Sequence, residues 1–263
     1  MKVVILCGGK GTRMGEITSH IPKPMALVQG KPLLWHIMNI YSQHGFEDFI
    51  LTLGYKGEKI KEYFVNYDWL NNDFVKDGNS GTIELLQEPM RWKITFINTG
   101  IETMTGGRLH RIKHLIEGDT FMLTYGDGLA NVDIGKLLQF HREHKKIATV
   151  TGVYHKSSFG IIETKDAIAT SFREKPQLNM LINGGFYVLN SQVFDYLDGK
   201  DDCIFEKTPL NKLTQDRELA VYTHRGFWMA VDTYKDLLTA EKTWNGSTPV
   251  QPRVTVRMAN RKK

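Results

Sequence analysis

The segment Gly8-Gly9-Lys10-Gly11-Thr12-Arg13 follows an apolar run, Val3-Val4-Ile5-Leu6-Cys7. Glycines let backbone N–H groups approach phosphate oxygens, and Lys10 and Arg13 add positive charge. A loop after a first buried strand stands where open α/β sheets bind ligands. Two familiar phosphate loops do not fit. A dinucleotide fingerprint started at Gly9 meets Met14 where its third glycine belongs. A P-loop ending in Gly9-Lys10 meets Val4 where its first glycine belongs. Alone, the loop reads equally as a tight turn. Lys23 adds to it, because Pro22 and Pro24 stiffen the backbone on both sides. Asp127 stands between Gly126 and Gly128 after the apolar run 120–125. A carboxylate there suits Mg²⁺, which takes one or two carboxylates plus substrate phosphates. By itself the same Asp-Gly pair reads as a turn.

The elements that must position these residues follow from the apolar pattern. Strands are predicted at 3–7 and 48–55, with helices at 32–44 and 58–66. Pro32 sits at a helix start, and Leu33, Ile37, Ile40 and Tyr41 share one face. Residues 68–100 read as a long loop or lid followed by a strand. A helix is predicted from Thr105 to Ile116, a strand at 120–125, a helix from Ile134 to His144 and a strand at 147–154. Short strands follow at 159–163 and 168–173, then a strand at 182–189. A helix at 204–218, a strand at 219–231 and a helix at 233–244 complete the chain. Strands alternating with helices from the first residue predict a doubly wound, mostly parallel α/β sheet, elaborated by strands in its second half.

Composition bounds the function. The chain has 263 residues, 41% hydrophobic and 24% charged, as in an ordinary globular protein. That excludes a disordered chain, a collagen-like rod and a disulfide scaffold. Lysine plus arginine number 34 against 29 acidic residues, a net charge of +5. Five of those basic residues, Arg253, Arg257, Arg261, Lys262 and Lys263, lie in the last eleven positions. Without them both counts are 29, so residues 1–252 are neutral and 253–263 form a basic tail. A neutral body argues against nucleic-acid binding, and the tail reads as a solvated arm. Cys7 and Cys203 are the two cysteines, and Cys7 reads as a small core residue rather than half of a disulfide. With no run approaching the ~18 apolar residues of a membrane span, the expectation is a cytoplasmic protein with no membrane partner. His110 with His114 and His141 with His144 have helical spacing but no zinc-protease pattern, and read as solvated helix faces.

Taken in order, the motifs resemble the sugar-1-phosphate nucleotidylyltransferases. They are Gly8-Gly9-x-Gly11-Thr12-Arg13, Pro22-Lys23-Pro24-Met25, Thr105-Gly106-Gly107-Arg108, Tyr125-Gly126-Asp127-Gly128, Phe159-Gly160, Glu174-Lys175-Pro176, Asn183-Gly184-Gly185-Phe186 and Gly226-Phe227-Trp228, ending at Asp232. Order and spacing fit over roughly residues 1–245, and Met104 to Arg108 and Lys31 to Met38 are most similar to the cytidylyl branch. The resemblance implies a Rossmann-like nucleotidyltransferase fold. It implies one domain over 1–252, with 1–154 mainly binding nucleotide and 155–252 mainly binding sugar. It implies a reaction in which CTP and α-D-glucose 1-phosphate give CDP-glucose and pyrophosphate, with Mg²⁺ as cofactor, in a homo-oligomer.

The family's roles carry over position by position. Leu6, Gly8, Gly9, Gly11, Thr12, Arg13 and Lys23 would bind the nucleotide, joined by Thr105, Gly106 and Arg108 near the base. Arg13, Lys23 and Lys175 would be the catalytic cations. Asp127 and Asp232 would hold the metal. Glu174, Lys175, Asn183 and Gly184 would meet the sugar phosphate. Cys7, Lys10 and the pair Ser157-Ser158 depart from what relatives usually carry, and the tail after Thr248 has no counterpart. Other readings are a family member using another nucleotide or acceptor, and a non-catalytic regulator with this fold. The presence of Lys23, Asp127, Lys175 and Asp232 together opposes the regulator.

Overall fold

The computed structural model describes residues 1–157 and 159–246. The basic tail 253–263 and Ser158 lie outside the described residues. Seven strands form the main sheet: β1 (Lys2–Leu6), β2 (Asp48–Leu53), β3 (Lys93–Asn98), β4 (Thr120–Tyr125), β5 (Ala148–Lys156), β6 (Gln177–Asn190) and β7 (Leu219–His224). Their order is β7-β5-β6-β4-β1-β2-β3. β6 runs antiparallel to β4 and β5, and the other pairings are parallel.

Alternation along the central strands builds two apolar layers. Val3, Ile5, Phe49, Leu51, Met122 and Val188 face one way. Val4, Leu6, Ile50, Phe121, Leu123 and Leu189 face the other. Strands buried on both faces read as continuous apolar runs, which is why β1 and β4 stand out in the sequence. The helix α1 (Leu33–Ser42) packs in the first layer and is buried nearly all round, with only Trp35 partly exposed among its core-facing neighbours. Its polar His36 is accommodated because Nε2 donates to the Val28 carbonyl at 2.8 Å while Nδ1 accepts from Trp244 Nε1 at 3.1 Å. The helix α2 (Thr105–Arg111) covers the opposite layer through Leu109.

Several boundaries differ from the sequence reading. Residues 68–100 are not one loop before a strand. They hold a short helix, Tyr67–Asn71, and a hairpin pairing Phe74–Lys76 with Ile83–Leu85. The predicted helix 204–218 is confined to α4 (Thr208–Gln215), with Pro209 in its first turn. The predicted strand 219–231 is two strands. β7 ends at His224, and Trp228–Ala230 pairs instead with Gly128–Ala130. Gly226 allows the crossing, since a Cβ there would lie 2.3 Å from Asn131 Oδ1. The short strands expected near 159–173 form a separate hairpin of Ile161–Lys165 and Ile168–Arg173. His141, on the helix α3 (Ile134–His144), is buried rather than solvated. It meets Thr149 Oγ1 at 2.9 Å and Asn190 Oδ1 at 3.0 Å.

Candidate active site

Parallel register brings the C-terminal ends of β4, β1 and β2 to one edge. Leu6 pairs with Tyr125 on one side and with Thr52 on the other. The turns that follow, Cys7–Gly11 and Gly126-Asp127, therefore lie side by side. The Gly126 N–H donates to the Leu6 carbonyl at 3.1 Å, and a Cβ on Gly126 would meet Pro24 at 2.9 Å. A cavity of about 480 Å³ opens here. It is lined by Leu6 to Arg13, Lys23, Pro24, Ile101 to Thr105, Arg108 and Tyr125 to Asp127. A Lys10–Glu102 ion pair at 2.6 Å spans two of its walls.

Four of the residues singled out from sequence converge at one end. Lys23 is 8% exposed, and its Nζ donates to Asp127 Oδ2 at 2.7 Å and to Asp232 Oδ1. Arg13 reaches the same Asp232 oxygen at 3.0 Å. The Trp228–Ala230 pairing explains why Asp232 comes to Asp127. Ala230 pairs with Gly128, and the Val231 N–H donates to the Asp127 carbonyl at 3.0 Å. Lys23 is presented by a short 3₁₀ turn, Lys23–Met25, after extended Pro22. Gly11 leaves it room, having φ +62° and a virtual Cβ only 2.9 Å from Lys23 Cβ.

The donor set fits Mg²⁺. Two carboxylates, one in the turn after β4 and one just beyond the Trp228–Ala230 strand, reach one nitrogen atom, so their oxygens can share a single cation. Among the described residues no group of three or more His, Cys, Asp or Glu side chains could hold a metal ion. Two carboxylates with the shell completed by phosphate is the usual protein share for Mg²⁺.

Arg108 has an occupation that sequence did not reveal. It is 4% exposed, and its guanidinium makes four hydrogen bonds within the protein. Nη1 donates to Leu53 O at 3.0 Å and Thr99 Oγ1 at 2.7 Å. Nη2 donates to Gly8 O at 3.0 Å and Ile101 O at 3.3 Å. Burial pulls its pKa below the usual arginine value. The side chain thus pins the glycine loop to the ends of β2 and β3 from beneath. Gly106 also has a packing role. Its N–H donates to Cys203 O at 2.9 Å, and a Cβ would lie 2.5 Å from Cys203 Sγ.

The sugar-side residues are placed differently. Glu174 and Lys175 pair with each other at 3.4 Å, both well exposed, and neither lines the cavity. The Gly184 carbonyl accepts from Trp228 Nε1 at 2.7 Å. Asn183 lies across from the cavity wall, with its Nδ2 3.4 Å from the Tyr125 hydroxyl. Thr105 lines the cavity, but its hydroxyl donates to Glu206 Oε2 at 2.6 Å and accepts from the Phe205 N–H at 2.9 Å. Glu206 went unnoticed in the sequence, because nothing in Cys203-Ile204-Phe205-Glu206-Lys207 marks it.

A glycine loop, a buried lysine and two carboxylates at the carboxyl edge of a parallel sheet make a site for phosphate chemistry. The family model described as nucleotidyl transferase matches residues 2–246. The chain belongs to the nucleotidyl transferase family. Relatives in that family align over nearly its whole length. A probable glucose-1-phosphate cytidylyltransferase of Bacillus subtilis is 53% identical over 245 residues, covering 93% of this chain and 96% of the relative. The glucose-1-phosphate cytidylyltransferase of Salmonella typhimurium is 43% identical over 253 residues, covering 95% and 98%. Among solved structures, HddC from Yersinia pseudotuberculosis superposes with a TM-score of 0.68 at 24% identity, covering 92% of this chain and 99% of its own, a likeness of fold. As a nucleotidyl transferase, the protein is an enzyme with the doubly wound sheet that its sequence predicts. Among the described residues no helix is long and apolar enough to cross a membrane.

Proposed function

We propose that this enzyme transfers the cytidylyl group of CTP to α-D-glucose 1-phosphate, giving CDP-glucose and pyrophosphate. The observation that carries the reading is the convergence of Arg13, Lys23, Asp127 and Asp232 at the mouth of the glycine loop. Two full-length relatives bearing that activity in their names support the choice of substrates.

The attacking group is a phosphate oxygen of the sugar phosphate. With a second pKa of about 6 it is largely ionised at neutral pH, so no general base is needed. It forms a bond to the α-phosphorus of CTP as the bond to the bridging oxygen breaks, and pyrophosphate leaves with that electron pair. The obstacle is repulsion between anions, so cations and positioning are the tools. Arg13 and Lys23 supply positive charge beside the phosphates. Backbone N–H groups of the Gly8–Gly11 loop orient the chain of phosphates. Asp127 and Asp232 would hold Mg²⁺, which when bound neutralises phosphate charge.

The sugar-side assignments belong to the same proposal. Asn183 and Gly184 would line the sugar pocket, with Glu174 and Lys175 reaching the sugar phosphate once it is bound. Residues 1–154 would chiefly bind nucleotide, and 155–252 chiefly sugar. A cytoplasmic homo-oligomer belongs to the same reading, and the exposed apolar Ile162, Ile168 and Phe172 on the 161–173 hairpin support its assembly.

The deciding experiment measures pyrophosphate release with Mg²⁺ and α-D-glucose 1-phosphate, comparing CTP, UTP, ATP, GTP and dTTP. Release with CTP alone is expected. Release with another nucleotide would keep the chemistry and overturn the base assignment. No release and no CTP binding would overturn the enzyme reading itself.

A further inference from the structure

Behind the cavity wall, a chain of hydrogen bonds connects residues from the two halves of the protein. Glu206 sits at its centre. Its Oε1 accepts from the Tyr125 hydroxyl at 2.5 Å, and its Oε2 accepts from the Thr105 hydroxyl at 2.6 Å. Tyr125 and Thr105 line the cavity, and Glu206 does not. The Tyr187 hydroxyl lies 3.1 Å from that of Tyr125, and Asn183 Nδ2 donates to Tyr187 at 2.6 Å.

Chemistry gives this chain a direction. Both hydroxyls point their hydrogens at Glu206, the tyrosine at Oε1 and the threonine at Oε2. Tyr125 then has lone pairs left toward Tyr187, which donates to it while accepting from the Asn183 amide. Burial raises the pKa of Tyr125 and Tyr187 well above the usual phenol value, so both keep their hydrogens. At the far end the Asn183 amide has one allowed orientation. Its nitrogen faces the tyrosines, and its Oδ1 accepts from the Gly185 N–H at 2.9 Å. Gly185 and Phe186 both have positive φ, at 71° and 49°. They lie in a bulge of β6, where the three residues 184–186 stand opposite Thr151 alone on β5. That bulge brings Asn183 to the tyrosines. Positive φ at a fully buried phenylalanine is unusual and marks a constrained segment.

We propose that Glu206 is a positioning residue that sets the nucleotide side of the site through Thr105 and the sugar side through Tyr125, Tyr187 and Asn183. The inference rests on the substrate reading above, in which Thr105 serves CTP and Asn183 serves glucose 1-phosphate.

The test is KM for each substrate, with melting temperature, in four variants. Glu206→Leu removes both acceptors, and KM rises about tenfold for CTP and for glucose 1-phosphate, the scale of one lost hydrogen bond to a charged group. Glu206→Gln leaves one acceptor, so KM rises for at least one substrate. It also decides the matter should Glu206→Leu fail to fold. Tyr125→Phe cuts only the sugar arm, so KM rises for glucose 1-phosphate alone. Adding Glu206→Leu to Tyr125→Phe then raises KM for CTP with no further change for the sugar phosphate. KM values within twofold of wild type in the folded Glu206 variants, whatever the melting temperature, would overturn the proposal. So would sugar-phosphate effects of Glu206→Leu and Tyr125→Phe that multiply. Wild-type turnover of another substrate pair would sink the substrate reading alone, and the variants are then compared on that pair. A wild type that turns over nothing sinks that reading too, and dissociation constants for CTP and glucose 1-phosphate replace KM.

Discussion

Lys23 Nζ donates to Asp127 Oδ2 at 2.7 Å, across 104 residues of sequence. The same nitrogen meets Asp232, so one ammonium bridges two carboxylates that would otherwise repel. The three side chains are therefore interdependent. Asp127→Asn keeps the shape and removes half of the negative charge. Turnover should fall about 10²–10³-fold, the scale of losing one well-placed electrostatic group. The melting temperature should move little, because the asparagine oxygen still accepts from Lys23. Near-normal kcat in a folded Asp127→Asn variant would remove Asp127 from the metal and phosphate site.

Arg108 tests a different role for a cation. Its four acceptors are backbone carbonyls and one hydroxyl, with no carboxylate among them. Lysine keeps the charge but lacks the planar fork. Arg108→Lys should leave at least two acceptors unpaired and cost about 2–4 kcal/mol, read as a lower denaturation midpoint. KM for CTP should rise with it, because the Gly8 carbonyl loses its anchor. A variant as stable as wild type would show that the loop holds its shape without this clamp.

The glycines of the loop are not equivalent. A Cβ on Gly8 would sit 1.9 Å from the Arg108 guanidinium, whereas one on Gly9 meets nothing within 4 Å. Gly8→Ala should therefore destabilise the fold, by about 1–3 kcal/mol of overpacking. Gly9→Ala should fold normally and show its effect, if any, in CTP affinity. Equal stability of the two variants by thermal melting would contradict the packing described for Arg108.

How far the sequence was legible depends on how local each signal is. The glycine loop, Lys23 between prolines and Asp127 after its strand are each encoded within a few neighbouring residues. The seven-stranded sheet was legible for the same reason, since β1 and β4 are mostly apolar runs of strand length. Glu206 was not, because its partners Thr105 and Tyr125 lie 101 and 81 residues away. The hairpin at 74–85 was missed because its strands are three residues each and largely exposed, too short for a periodic pattern to stand out. The split of 219–231 depends on Asn131 lying under Gly226, which is a tertiary fact. Asp232 entered through resemblance to a family, and the strand pairing that carries it to Asp127 became visible only in three dimensions.

Buried histidines give the last prediction, which concerns acid. His36 and His141 each have both ring nitrogens occupied in a pattern that a neutral ring satisfies. Burial depresses both pKa values below the ordinary value of about 6.5. A lysine, Lys31, near His36 and an arginine, Arg142, near His141 push in the same direction. Below that pH the unfolded chain binds protons that the folded chain refuses. The stabilisation is therefore complete above about pH 6.5 and is lost as pH falls toward the depressed folded values. Protonation would also turn His36 Nδ1 from acceptor to donor, against the Trp244 N–H that now points at it. The melting temperature should decline between pH 7 and pH 5. His36→Asn and His141→Gln should each melt lower at pH 7 and show a shallower decline, because the group that takes up the proton is gone. An unchanged slope in the double variant would assign the acid sensitivity to other groups.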